Sequence, residues 1–306
     1  MNKTYMKNVF SILTLFTYVS NKALGSEPTS SEIMLSNSLK NPGIYDPDKI
    51  YEKYKHRYLP DPEDENHAEK IMDEARTMFL QFVENKSSFK IYGTYDDNTS
   101  LYFMKYDDKY VGKIHTKIPF PHTYKEIVTI LWDPNGEQEY NNNFIRGKVG
   151  CAYNPNLLLI QQRYENSFIG RQDYLYALAA KYEISNNTTM IVKASANIKD
   201  HNRHKKNNEN LLIKSANLFK FDIDHDEDIV AGRLNNIVVD LSGYIITKNK
   251  EYVEITHIDS FHDKYPITNK WNNLVRRSNR LGALADLKYY IYNKYTDWSK
   301  AVPSNI

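Results

Sequence analysis

The spacing of apolar residues alternates between two periods along the chain. Ala68, Ile71, Met72, Ala75, Met78, Phe79 and Phe82 recur three and four residues apart, which predicts an amphipathic helix of about six turns with a core-facing stripe. Asp61-Pro62-Glu63-Asp64-Glu65 starts it: Asp caps, proline takes the first helical position, and the acids meet unpaired N–H groups. The helix should end near Asn85. From Phe89 the period falls to two. Segments 88–95, 100–106 and 110–118 predict three strands, made antiparallel by the short Asp-rich turns Asp96-Asp97-Asn98 and Asp107-Asp108. Pro121-His122-Thr123 opens a second helix with Thr123 and Glu126 at capping-box spacing, and the helix stops at Trp132-Asp133-Pro134.

Further strands are predicted over 145–152, 157–164, 174–184, 189–196, 211–221, 237–246 and 252–258, followed by a helix over 271–292. The apolar side of that helix carries Trp271, Leu274, Val275, Leu281, Leu284, Ala285 and Tyr292. Helices at the ends of a long antiparallel run indicate an α+β fold, and the crossover helices of a parallel sheet are missing. In 174–180, Tyr174, Tyr176, Leu178 and Ala180 share one face, and Leu175, Ala177 and Ala179 the other. Small side chains facing inward fit either a lined cavity or the close crossing of a helix.

The ends change the charge picture. Lys3 and Lys7, an apolar run from Val9 to Val19 and Ala23-Leu24-Gly25 follow the order of a secretion signal over 1–25, too short to span a bilayer. Without those residues the 40 basic residues fall to 37 against 38 acidic ones, so the near-neutral remainder gives no reason to expect nucleic acid as a partner. Residues 26–60, with Pro28, Pro42, Pro47 and Pro60, read as a partly ordered lead-in, and the main domain is expected over 61–300. A single Cys forbids an internal disulfide, so packing must hold the fold.

No nucleophile elbow, zinc-protease helix or phosphate loop is present, and Gly147-Lys148-Val149-Gly150 is too short for the last. Asp222, Asp224 and Asp226 begin like a calcium loop, but Glu227 and Arg233 stand where Gly and a bidentate Glu are needed, which leaves a solvated turn. His201 and His204 lack a third ligand. Cys151, within a strand, reads as a small buried apolar residue. No metal, cofactor or catalytic group is expected. The sequons at Asn85, Asn98, Asn186 and Asn187 are frequent by chance in so Asn-rich a chain.

The stretches 123–134 (TYKEIVTILWDP), 153–164 (YNPNLLLIQQRY), 170–185 (GRQDYLYALAAKYEIS), 191–201 (IVKASANIKDH) and 215–228 (SANLFKFDIDHDED) resemble the fam-a family of rodent malaria parasites, over roughly residues 45–265. Those proteins carry a START-type lipid-transfer domain. The resemblance implies a helix-grip fold, a strongly bent antiparallel sheet around a long C-terminal helix with a further N-terminal helix. It also implies one phosphatidylcholine-like ligand in an internal tunnel, transient contact with membrane surfaces, and secretion into the parasitophorous vacuole or the host red cell. Trp132-Asp133 resembles the Trp-Asp that closes the helix after the third strand in START domains. Gly170-Arg171-Gln172-Asp173-Tyr174 looks like their Arg-Asp-aromatic element, with Gln172 intervening, and His257-Ile258-Asp259 like the segment before the terminal helix.

The expectation is therefore a monomeric, non-enzymatic lipid carrier. Its cavity wall would include Tyr174, Tyr176, Leu178, Val192, Ala194 and Ala196, with Arg171 and Asp173 as cavity charges. Its gate would be the last helix through Trp271, Leu274, Val275 and Leu281. The rival is a secreted protein-binding module whose cavity is filled by aromatic side chains, favoured if no apolar cavity of about 300 Å³ exists. An enzyme on this scaffold is the weakest reading, because no nucleophile and base pair off.

Overall fold

The computed structural model describes residues 46–56, 61–107, 109–166, 170–203, 209–223, 226–263 and 270–301. The expected secretion signal, most of the lead-in and His204 lie outside them. Within the expected lead-in, Asp48–Tyr54 forms a helix, α1. Ile50 is buried in it, and Asp48 accepts a 3.0 Å bond from the ammonium of Lys181. The packed unit therefore begins before residue 61.

Helix α2, Pro62–Glu84, starts on Asp61, whose carboxylate accepts from the Glu63 N–H at 2.9 Å. Strands β1 (Lys90–Asp96), β2 (Thr99–Tyr106) and β3 (Lys109–Ile118) follow as the period-two pattern predicts. Helix α3, Tyr124–Trp132, lacks the predicted capping box: Thr123 donates its hydroxyl to the Phe120 carbonyl instead. Glu126 is buried and engaged elsewhere, by a residue 168 positions along the chain. Strands β4 (Phe144–Asn154), β5 (Leu157–Asn166), β6 (Arg171–Ser185) and β7 (Thr188–Ala194) form successive hairpins.

The predicted strand over 211–221 is not one strand. A 3-10 turn, Lys214–Asn217, occupies it, and β9, Lys220–Asp222, pairs in parallel with β8, Asn197–Lys199, as a separate two-stranded sheet. Asn210 displaces the ladder: its carboxamide oxygen accepts from the Leu212 and Ile213 N–H groups, and its amide nitrogen donates to the Ser195 carbonyl. A one-turn helix, α4 (Glu227–Val230), then leads to β10 (Asn235–Lys248), β11 (Val253–Asp263) and the terminal helix α5 (Lys270–Ala301).

Nine strands make one sheet in the order β1-β2-β3-β11-β10-β7-β6-β5-β4, antiparallel between neighbours, and the first two residues of β10 also pair in parallel with β6. Each face has its own core. Ala68, Ile71, Met72, Ala75, Phe79 and Phe82 of α2 pack with Tyr174, Tyr176, Leu178, Val192 and Ala194. On the other face Leu281, Leu284, Leu287 and Ile291 of α5 join Ile127, Leu131 and Trp132 of α3 against Leu158, Ile160, Leu175, Ala177 and Ile191. None of the described helices is long and apolar enough to cross a membrane.

Two glycines set helix positions. At Gly112, on β3, an added Cβ would lie 2.3 Å from Leu281 and 2.8 Å from Phe103, so the bare backbone lets α5 sit down on the sheet. At Gly147, on β4, it would lie 1.9 Å from the Pro134 carbonyl oxygen. The glycine that failed as a phosphate loop thus admits the Trp132-Asp133-Pro134 turn against the sheet, where its N–H donates to Asn135 at 2.9 Å.

The outer flank of the α2 face is polar. Arg163, 3% exposed, reaches Asp226 and Asp228 at 2.6 Å each, and Arg146 and Lys148 also hold Asp226. Asp226 is therefore an anchor for α4 on β4 and β5 rather than part of a solvated turn, and the ion pairs hold its carboxyl below the usual range against the opposing effect of burial. Cys151 is buried, which pushes its thiol up to about 12 and removes it as a nucleophile.

Because the Gly147 clash is with backbone, Gly147→Ala should cost about 1–3 kcal/mol, measured by urea unfolding.

Candidate functional site

A cavity of about 100 Å³ lies beneath the first half of α5, on the face opposite α2. Arg276, Asn279, Arg280 and Ala283 of α5 roof it. Its floor comes from Gln162 and Tyr164 of β5, Asp173 and Leu175 of β6, Lys193 of β7, Ser242 and Tyr244 of β10, and His257 and Phe261 of β11. Glu137, from the 3-10 turn Gly136–Glu139 after α3, closes one side. Strand alternation explains the set: 173, 175 and 193 share the parity that turns away from α2.

Buried ion pairs pin the helix to this floor. Arg276 donates to Asp173 at 2.8 Å and Arg280 to Asp259 at 3.0 Å. Both guanidinium groups stand about 5.1 Å from the centre of the Phe261 ring, where its negative face adds attraction. Arg277, between them, donates to the Phe261 carbonyl at 2.7 Å and to the Tyr110 carbonyl at 3.1 Å. Burial disfavours charge on Arg280, but Asp259, with Tyr164 and Glu137 nearby, more than offsets it and keeps the group protonated. Asp173 also accepts from Asn166 at 2.9 Å and from Asn235 at 2.6 Å.

Burial works against charge on the deeper polar groups. His257, fully buried, stacks on Tyr244 with ring centres 4.1 Å apart and lies 3.2 Å from the Ser242 hydroxyl. Burial pulls its pKa down to about 3. Tyr164 donates to Glu137 at 2.8 Å, and burial holds the phenols of Tyr164 and Tyr244 well above their usual range. Lys193 donates to Gln162 at 3.3 Å, and burial lowers its pKa. The site offers shape and hydrogen bonds; among the described residues no group of His, Cys, Asp and Glu is arranged to hold a metal ion.

Of the residues expected on the cavity wall, Asp173 lines the pocket. Tyr174, Tyr176, Leu178, Val192 and Ala194 do not: they face α2. Tyr174 donates to Asp200 at 2.8 Å and Tyr176 accepts from Gln161 at 2.9 Å, on the opposite side of the sheet. The inversion has a simple cause: both faces of β6 are buried, so no polar stripe marks the outer one. Tyr176 and Ala196 instead touch a separate cavity of about 20 Å³. Arg171 is exposed. On α5, Leu281 is buried, Leu274 and Val275 are half-buried, and Trp271 is 48% exposed. Glu137, Lys193, Tyr244, Arg276 and Arg280 escaped sequence reading; the one usable signal was arginine at 276, 277 and 280 on a helix otherwise read by its apolar side.

Two solved structures share this architecture. Human StAR-related lipid transfer protein 5 superposes with a TM-score of 0.55 at 8% identity, covering 74% of this chain and 98% of that one. Human STARD10 gives 0.52 at 14% identity, covering 80% and 84%. The chain has the START helix-grip fold. At these identities the likeness shows the fold alone. No protein-family sequence model and no curated protein matches the chain, so the resemblance to fam-a rests on the stretches quoted above.

Two outcomes follow from the START-like seam. Asp173→Asn removes the carboxylate that Arg276 needs and should cost about 3 kcal/mol, read by chemical denaturation. His257 takes up a proton near its ordinary 6.5 when unfolded but only near 3 when folded. The unfolded state therefore binds more protons between those values, and the stability His257 contributes is complete above about pH 6.5 and lost as pH falls toward 3. Wild type should lose about 2 kcal/mol more than His257→Phe between pH 7.5 and 4.5, measured by urea titration at each pH.

Proposed function

We propose that this protein is a non-enzymatic lipid carrier, with the sheet–α5 interior as its ligand compartment and α5 as the gate. The observation that carries the reading is the seam itself: a long helix laid over one face of the sheet, with a polar pocket beneath it, in a fold shared with proteins named for lipid transfer. At about 100 Å³ the pocket has room for a few waters or one small polar group. Acyl chains need more. Two chains carry about 30 methylenes, whose exposure to water costs roughly 24 kcal/mol at about 0.8 kcal/mol each. Loading therefore requires α5 to lift, with Leu281, Leu274, Val275 and Trp271 changing surroundings as it does.

The finer reading follows the resemblance to fam-a: a monomer, secreted into the parasitophorous vacuole or onward to the host red cell, that takes one phosphatidylcholine-like lipid during transient contact with membranes. The near-neutral balance after residue 25 agrees with a carrier that leaves membranes readily.

A second reading has one observation in its favour. The cavity lies below the 300 Å³ typical of ligand pockets, and Phe261, Tyr164 and Tyr244 fill the interior, as in a protein-binding module on the same scaffold.

Native mass spectrometry of the purified protein should show one lipid per chain, with transfer between liposomes in a fluorescence assay. A protein that neither carries nor transfers lipid of any class would overturn the carrier reading. Lys294 and Tyr295 of α5 bond Glu126 of α3 at 2.6 and 2.5 Å. Lys294→Met should therefore loosen the end of the gate, raising both lipid exchange and hydrogen exchange over 285–296.

A further inference from the structure

Among the described residues, buried cations are paired almost everywhere. Lys181 has Asp48 at 3.0 Å, Arg163 has Asp226 and Asp228, Arg276 has Asp173 and Arg280 has Asp259. Lys193 differs. It is 8% exposed and lines the pocket beneath α5, and its ammonium makes a single hydrogen bond, to the Gln162 carboxamide oxygen at 3.3 Å, with no carboxylate in ion-pair contact.

An ammonium has three donors, and one long bond to an amide leaves two of them facing the pocket. Burying an amine this way is costly unless a partner arrives. The acids around it are committed: both oxygens of Glu137 accept, from Tyr164 and Asn141, Asp173 holds Arg276, and Asp259 holds Arg280. Asp259 keeps its other oxygen, Oδ1, buried without a hydrogen-bond partner, but Asp259 does not line the pocket; of the described buried side chains that do, Lys193 is the one with donors to spare. Those same carboxylates make the pocket a poor place for a double negative charge.

We infer that Lys193 is the recognition residue for a singly charged oxyanion on the ligand, a phosphodiester or a carboxylate, seated between Gln162 and Arg280 in the pocket beneath α5. This rests on the carrier reading and deepens it by naming the chemical group that the pocket selects. The cavity volume matches such a group and excludes the chains, which would lie along the apolar part of the seam toward Leu284 and Leu287 once α5 lifts.

The test compares wild type with Lys193→Met, which keeps the unbranched stem and removes the charge. Probes are dioctanoylphosphatidylcholine, sodium oleate and uncharged dioctanoylglycerol, with affinities from calorimetry. Wild type should bind at least one oxyanion probe about tenfold more tightly than dioctanoylglycerol, a preference equivalent to one charge-assisted contact, and the variant should reduce that margin below about threefold. The variant should melt no lower than wild type, because it relieves a buried amine. No preference in wild type, a preference that survives in Lys193→Met, or a variant that melts lower overturns the inference. If no chain-bearing probe binds either protein, the carrier reading fails separately. The oxyanion site is then read with sodium acetate, dimethyl phosphate and inorganic phosphate: stabilisation of wild type but not of Lys193→Met by either monoanion supports it, and equal responses, or a response to inorganic phosphate alone, overturn it.

Discussion

One sheet with two buried faces requires two covers, and that requirement organises the molecule. Strand β6 shows it in seven residues: Tyr174, Tyr176, Leu178 and Ala180 go to α2, while Leu175, Ala177 and Ala179 go to the α3 and α5 side. Neither helix can be removed without exposing a full apolar face, so the N-terminal and C-terminal segments depend on the same nine strands. The alanines of β6 are on this account mainly places where large side chains of the covers come close, as Gly112 is for Leu281.

The two covers are attached differently. Helix α2 meets the sheet through aliphatic and aromatic side chains, with its polar contacts confined to the rim. Helix α5 divides in two. Its second half lays Leu281, Leu284, Leu287 and Ile291 on the core, with Lys288 donating to Asp96 and Thr99 alongside, whereas its first half brings Arg276, Arg277 and Arg280 over Phe261 and onto buried acids and carbonyls. Apolar contact holds at any register near the right one; ion pairs with fixed carboxylates select a single seat. Specific pairs also hold the far end, where Lys288 meets Asp96 and Lys294 meets Glu126, so on the proposed carrier reading both sets would have to exchange partners before α5 lifts. On the proposed reading, Lys193, without such a pair, is where a ligand's own charge would enter that exchange.

Much of the architecture was legible before any coordinates. The Asp61-Pro62 start of α2, the three N-terminal strands, the Trp132-Asp133-Pro134 stop and the long last helix all lie where period and capping chemistry put them, because these are local effects acting within a few residues. The failures have identifiable physical causes. Segment 211–221 has strand-like residues, but Asn210 captures its backbone donors. Glu126 stands at capping-box spacing, but Lys294 and Tyr295 take its carboxylate. In each, a partner distant in sequence or a side chain competing with the ladder prevailed over propensity.

The sequence by itself determined most of the helices and strands, that the main sheet is antiparallel, and that packing rather than disulfides holds it, since periodicity, caps and a cysteine count need no knowledge of neighbours. Tertiary structure alone decided which face of β6 and β7 meets the pocket. Alternation divides residues into two sets, but when both faces are buried nothing in the pattern says which set is which. It also decided the site, because Glu137, Asp173, Lys193, His257 and Arg280 come from five separate elements and acquire their chemistry only where burial and one another's charges bring them together.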